Sequence, residues 1–286
     1  MFHAKPQPTP MTSSSRLQKN SSESFNDPSL YRLVVGTLQY LLITRPELSY
    51  SVNRVCQFMP DRKLHHWQAV KRILRYLAGT ITHGLLLRHN STTSLIGFAD
   101  ADWGADVDDR KSTTGYCIYM GYNLISWSSH KQKTVSISST EAGYRAVAAL
   151  LAEIVWIQSL LSELRIQVSK PKLYSNNLGV VLLNTNPVMH SKTKYFELDL
   201  HFVRDQVQKQ KIQLLHLPAR FQVNDPLTKP VSGILFLHVR DKLMIIANPT
   251  MHLGGGGLLR VPMCYLVYKL LLYQHTIIYI SLYQNL

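Results

Sequence analysis

The stretch that most limits the possible folds runs over residues 138–164. It opens on Ser138-Ser139-Thr140-Glu141, a hydroxyl-x-x-Glu pattern that satisfies first-turn N–H groups at a helix start. Ala146, Val147, Leu150, Leu151, Ile154, Ile157, Leu161 and Leu164 then recur at intervals of three and four. This spacing predicts one long helix with a broad apolar stripe, and such a stripe must be covered by another layer. The residues just before it supply strands. Residues 94–100 (SLIGFAD) form one run, and 115–120 and 124–127 form two more, joined through Gly121-Tyr122-Asn123 as a hairpin. Short connections favour antiparallel pairing among the three.

After the long helix come a short strand candidate at 173–176, an apolar helical turn at 178–183 and an amphipathic helix at 194–210. A strand at 212–217 and a last helix starting at 224–229 complete the series. The expected architecture is mixed α/β, with helices packed on a five-stranded sheet. Upstream, Asp27-Pro28 reads as an N-cap followed by proline at the first helical position. Helices are expected from there to Arg45, from Pro46 through Phe58, and over 65–77, making 28–88 a small helical subdomain. Residues 85–88 read as a short extended piece. Residues 1–27, rich in Ser, Thr, Pro and Asn, read as a tail or linker. Residues 92–245 are the sheet-bearing domain. Residues 246–286, with their four-glycine run, read as an unrelated, poorly constrained tail.

Charge narrows the partners. Lys and Arg number 31 against 17 Asp and Glu, a formal charge of +14. The stretches 31–90 and 165–244 are strongly basic, whereas Asp100, Asp102, Asp106, Asp108 and Asp109 crowd a short segment between them. Basic flanks attract polyanions, nucleic acid first among them. An acidic island inside them repels phosphate unless cations intervene, which points to a metal-dependent phosphodiester site; a solvated acidic loop is the alternative. On the helix at 65–77, Lys71, Arg72 and Arg75 lie on a face that could track a phosphate backbone, or simply be solvated. The three cysteines, Cys56, Cys117 and Cys264, stand far apart, which excludes a disulfide scaffold and suits a reducing compartment. No apolar segment follows Met1 as in a secretory signal, and no run reaches the roughly 18 apolar residues of a membrane helix. An intracellular chain, in cytoplasm or nucleus and off the membrane, is expected.

Three carboxylates stand where they could converge. Asp100 ends a strand, Glu141 opens the long helix and Asp225 opens the last one. Hard divalent cations want oxygen ligands, and two of them about 3.5–4 Å apart can serve in-line phosphodiester displacement. Glu141 could equally be a helix cap that needs no metal.

Several ordered blocks carry a resemblance. Phe98-Ala99-Asp100-Ala101-Asp102-Trp103, Asp109-Arg110-Lys111-Ser112-Thr113-Thr114-Gly115-Tyr116, Ser126-Trp127-Ser128-Ser129 and Ser138-Ser139-Thr140-Glu141-Ala142 resemble the RNase H domain of copia-type LTR retrotransposon Pol polyproteins. So do Asn186-Pro187, His190-Ser191-Lys192-Thr193-Lys194, His201-Phe202-Val203-Arg204 and Asp225-Pro226-Leu227-Thr228-Lys229-Pro230. Tyr31 through Gly36, Leu38 through Leu41, Thr44-Arg45-Pro46 and His66-Trp67 through Leu77 resemble the carboxyl-terminal end of the reverse transcriptase that precedes it. The resemblance covers roughly residues 4–245.

It implies an RNase H-like fold and hydrolysis of RNA in RNA–DNA hybrids, leaving a 3′-hydroxyl and a 5′-phosphate, at four carboxylates holding two Mg2+ ions. No small-molecule cofactor is implied. Asp100 matches the first carboxylate, Glu141 is taken as the second and Asp225 matches the fourth. The third, in a strand-end motif resembling C-D-N, falls in Tyr174-Ser175-Asn176-Asn177, so Asn176 stands where Asp is expected. An amide brings one carbonyl oxygen and no charge, so hydrolysis should be weak or absent. Gly143 stands where the family commonly has an acid just inside the helix; if that acid is the true second carboxylate, the site has lost two charges. Asp102 would share a face with Asp100 if the strand continued, but a turn after Asp100 is expected to keep it out. His190, Lys194, His201 and Arg204 match polar positions that either steady the fold or touch phosphate. The polymerase motif Tyr-x-Asp-Asp is missing, so the main part of the reverse transcriptase is taken to be absent and no polymerase activity is expected. The reading is a truncated, decayed Pol chain. A non-catalytic nucleic-acid-binding remnant and a product without function are the alternatives.

Overall fold

The structure, a computed structural model, describes residues 4–14, 16–19, 22–89, 92–185 and 196–247. Its frame is set by β2 (Leu95–Asp102), β3 (Thr113–Met120) and β4 (Asn123–Lys131). Antiparallel pairing joins β2 to β3 and β3 to β4. The β3–β4 turn is tight, and Gly121 takes φ +59° there, a conformation that costs glycine no Cβ clash. The chain then leaves the sheet through α4 (Ser139–Glu163) and returns in β5 (Lys172–Ser175), parallel to β2, a crossover that needs a long connection. After α5 (Leu178–Thr185) and α6 (Glu197–Gln208), β6 (Gln213–His216) adds parallel to β5. The order is β4-β3-β2-β5-β6. This is the five-stranded mixed sheet with flanking helices that the sequence and its resemblance led us to expect. One boundary differs. The strand expected to end at Asp100 runs on to Asp102, because Ala101 and Asp102 pair with Thr114 and Thr113.

One face of the sheet carries the main core. Leu95, Ala99, Ile118, Met120 and Ile125 pack with Tyr144, Val147, Leu150, Leu151, Ile154, Ile157 and Leu161 of α4. Gly97 lets the helix lie close, since a Cβ there would stand 2.7 Å from Leu150 Cδ1. α4 is long and apolar enough to cross a membrane, and much of its apolar surface is this core. The opposite face buries Cys117, Tyr119, Leu124 and Trp127 against Val223, Leu227, Val239 and Leu243. These last come from the segment containing α7 (Asp225–Thr228) and α8 (Gly233–Lys242). The final helix expected at 224–229 is a single turn, and α8 is a further helix not anticipated.

The helical subdomain consists of α1 (Pro28–Leu41), a 3₁₀ turn at Pro46–Leu48, α2 (Ser49–Cys56) and α3 (Leu64–Gly79). Asp27 caps α1, its Oδ1 accepting from Leu30 N at 2.8 Å. Tyr31, Val35, Leu38, Val52, Val55, Val70 and Ile73 form its core, which Phe236 of α8 also joins. The extended piece expected at 85–88 is β1 (His83–Leu85), which pairs antiparallel with β7 (Ile245–Ala247) outside the main sheet. Residues 248–286, nearly all of the expected carboxyl tail, lie outside the described residues.

Much of the stretch read as an amino-terminal tail packs as a strap on α3. Met11 and Leu17 are each 4% exposed. Arg72 donates to Gln7 Oε1 at 2.8 Å and Thr9 Oγ1 at 2.9 Å, and Arg75 donates to the Lys5 carbonyl at 2.7 Å. The residue types of this segment are those of a linker. Its few apolar side chains find a groove, and its carbonyls and hydroxyls find arginines.

Candidate functional site

The parallel pairing of β2 and β5 brings their carboxyl ends to one edge, with Ala99 opposite Ser175. Asp100 and Asn176, each one residue further on, therefore meet. Asn176 donates from Nδ2 to Asp100 Oδ1 at 3.0 Å. On the other side Asp100 pairs with Gly115 of β3. A Cβ at Gly115 would stand 2.6 Å from Thr228 Cγ2 and 2.9 Å from Leu227 Cβ, so the bare glycine is what lets α7 sit over this rim. Asn224 secures the approach by donating to the Gly115 carbonyl at 2.8 Å, and Gln222 donates to the Ala99 carbonyl at 3.1 Å. As a result Thr228 donates its hydroxyl to Asp100 Oδ2 at 2.8 Å. Lys229 Nζ lies 2.9 Å from Asp225 Oδ1 and 3.7 Å from Asp100 Oδ2.

Three of the four expected site residues, Asp100, Asn176 and Asp225, thus share this pocket. Asp102, expected outside it, stands two residues along the same strand and accepts from the Thr113 amide. Burial pushes the Asp102 carboxyl up to about 7, against the Thr113 bonds that favour its charge, and Asp100 adds to the push. Burial also raises Asp225; Lys229 opposes that and Asp100 reinforces it. Burial alone would lower Lys229, but Asp100, Asp225 and Asp102 outweigh it and hold the ammonium above the usual lysine value.

Glu141 is held differently. Its Oε2 accepts from the Ile137 amide at 2.9 Å and its Oε1 from Arg145 at 2.7 Å, while its own amide donates to Ser138 Oγ at 3.1 Å. These are the contacts of a helix-start residue, the alternative the sequence left open. Two residues on, a Cβ at Gly143 would face Val180 Cγ2 at 3.2 Å and Asn177 Cβ at 3.4 Å. Position 143 looks toward the loop that carries Asn176. Among the described residues no group of three or more His, Cys, Asp or Glu side chains is placed to hold a metal ion. Two carboxylates bridged by an ammonium, beside an amide that offers its N–H, do not fit two dications.

The remaining candidates scatter. Arg204 of α6 is 7% exposed and donates from Nε to the Leu183 carbonyl at 3.1 Å, tying α6 to α5. His201 is exposed, with Glu197 at 3.7 Å. His190 and Lys194 lie outside the described residues. Lys71, Arg72 and Arg75 of α3 line a groove of about 500 Å³ together with Arg16 and His65.

No protein-family model matches the chain. It is 48% identical over 262 residues to the retrovirus-related Pol polyprotein from transposon RE2 of Arabidopsis thaliana, covering 91% of this chain and 18% of that protein. With the corresponding polyprotein from transposon TNT 1-94 of Nicotiana tabacum it shares 34% identity over 238 residues, covering 81% of this chain and 18% of the relative. The chain belongs to the copia-type retrotransposon Pol family. It spans under a fifth of the length of those Pol relatives. Among solved structures, LC11-RNase H1 in complex with an RNA/DNA hybrid aligns over 47% of this Pol chain and 93% of its own, at 14% identity and a TM-score of 0.37. Thr228, Lys229, Gln222 and Asn224 were not singled out from sequence. The signal for the first two was present, since both stand in the Pol block that begins at Asp225.

Proposed function

We propose that this Pol chain carries an RNase H-like domain that engages RNA–DNA hybrids and hydrolyses their RNA weakly or not at all, because Asn176 stands in a carboxylate's place. The observation that carries the reading is the Asn176–Asp100 hydrogen bond at 3.0 Å. A carboxylate at 176 would face Asp100 as a like charge and require a cation between them. The amide instead satisfies an Asp100 oxygen directly, so no ion is needed between positions 100 and 176. In wild-type protein, cleavage of a labelled hybrid in Mg2+ should be slow or undetectable. Asn176→Asp should raise it by roughly 10²–10⁴, the scale of a restored charged contact at the reacting phosphate. A folded variant that shows no gain sinks the assignment of Asn176.

A non-catalytic binding role is the second reading, and the groove lined by Arg16, Lys71, Arg72 and Arg75 favours it. Binding by phosphate neutralisation needs no intact metal site and weakens steeply with salt. Hybrid affinity that falls with salt in the wild type, with no cleavage even in Asn176→Asp, would select this reading.

A further inference from the structure

The pocket at the β2 rim already contains a cation. The Lys229 ammonium lies within 2.9 Å of Asp225 and 3.7 Å of Asp100, and it is placed there by the backbone. The Lys229 amide donates to the Asp225 carbonyl at 3.0 Å, closing α7, so the side chain returns over the turn from which Asp225 projects. Its partners are fixed as well. Asp100 is 5% exposed, held by β2 and by bonds from Asn176 and Thr228 to its two oxygens. The Asp225 side chain is 14% exposed. Two carboxylates so placed repel unless a positive charge stands between them. A divalent ion would do this through oxygen ligands, yet Asn176 turns its N–H toward Asp100 and Glu141 is engaged with Ile137 and Arg145.

We propose that Lys229 is a built-in counter-ion, its ammonium bridging Asp100 and Asp225 where a divalent ion would otherwise sit, so that the pocket excludes divalent ions as the chain stands. This deepens the RNase H-like reading of the rim and rests on it. Lys229 is a positioning residue here: it acts through the two carboxylates and takes no part in bond cleavage.

The test is Mn2+ uptake by the full chain, followed by electron paramagnetic resonance and calorimetry, with hybrid binding measured separately on the same samples. Wild type should take up no ion at this site at millimolar Mn2+. Lys229→Met should gain one site, filled at Mn2+ concentrations at least tenfold below those at which wild type remains empty. Lys229→Arg keeps the charge and should keep the exclusion. Lys229→Gln replaces the methionine variant if that one does not fold. Asn176→Asp should also gain uptake, because a third carboxylate shifts the competition toward the divalent ion. Wild-type uptake equal to that of Lys229→Met overturns the proposal, and so does a folded neutral variant that gains nothing. Loss of hybrid binding with the Mn2+ pattern intact would count against the functional reading alone.

Discussion

Two aspartates of the acidic island show how position decides the behaviour of one residue type. Asp102 is pushed up to about 7 mainly by burial. An unfolded aspartate titrates near about 3.9, so between those values the folded chain holds a proton that the unfolded chain has released. The stability this contributes is fully present below about pH 4 and is lost as pH rises through 7. Asp102→Asn should therefore flatten the stability profile. The unfolding free energy of wild type from urea titrations should fall relative to the variant between pH 4 and pH 7, by on the order of 1–3 kcal/mol. Parallel profiles would show that Asp102 is not held protonated. Asp106 has the opposite sign. Burial would raise it, but Lys131 at 2.6 Å and Arg54 at 2.5 Å bring it down to about 2. Both residues look alike in the sequence; the difference is the nearest cation.

At the scale of elements, the site depends on how closely α7 approaches β3. Gly115 provides the space, and the Asn224 amide, fully buried, fixes the distance through the Gly115 carbonyl. Gly115→Ala would drive a methyl into Thr228 and Leu227, one contact being Leu227 backbone carbon at 3.0 Å. Overpacking of this kind costs about 1–3 kcal/mol. It should also release the Thr228 hydroxyl from Asp100. Chemical denaturation checks the first effect, and a structure of the variant checks the second. An alanine variant as stable as wild type would mean that α7 is free to shift. The long helix was legible beforehand because its apolar spacing and cap are local signals. α7 was legible only as a helix start, because a single turn has no period to read.

For the molecule as a whole, the helical subdomain and the sheet domain dock through Val231 and Phe236, which enter the helical core, and through polar ties. Arg54 of α2 meets Asp106, Asn53 donates to the Ser129 carbonyl at 2.9 Å, and Trp127 donates to the Leu42 carbonyl at 3.0 Å. Arg54 also donates to the Leu17 carbonyl at 3.0 Å, so the strap belongs to the same junction. Asp106→Asn leaves the Arg54 guanidinium buried without its carboxylate, which should cost about 3 kcal/mol at pH 7. Because Asp106 is ionised above about 2 in the fold, the penalty should shrink as pH falls toward 2. Thermal melts across that range decide the matter, and a penalty that does not change with pH would assign the loss to packing instead.

The sequence by itself determined the mixed α/β plan, the five strands and the Pol family, because periodicity, caps and ordered motifs are carried by near neighbours in the chain. It also singled out Asp100, near the end of a strand, and Asp225, at a helix start. Which groups meet was decided only by the tertiary structure. Glu141 lies in the expected motif yet bonds to its own helix start. Lys229, passed over in sequence, lies between the two carboxylates, and a segment with the composition of a linker becomes a packed strap. Hydrogen bonds act over about 3 Å and close ion pairs over about 4 Å, and Asp100 comes within that reach of Asn176, and of Lys229 with its partner Asp225, only once β2, β5 and α7 have packed.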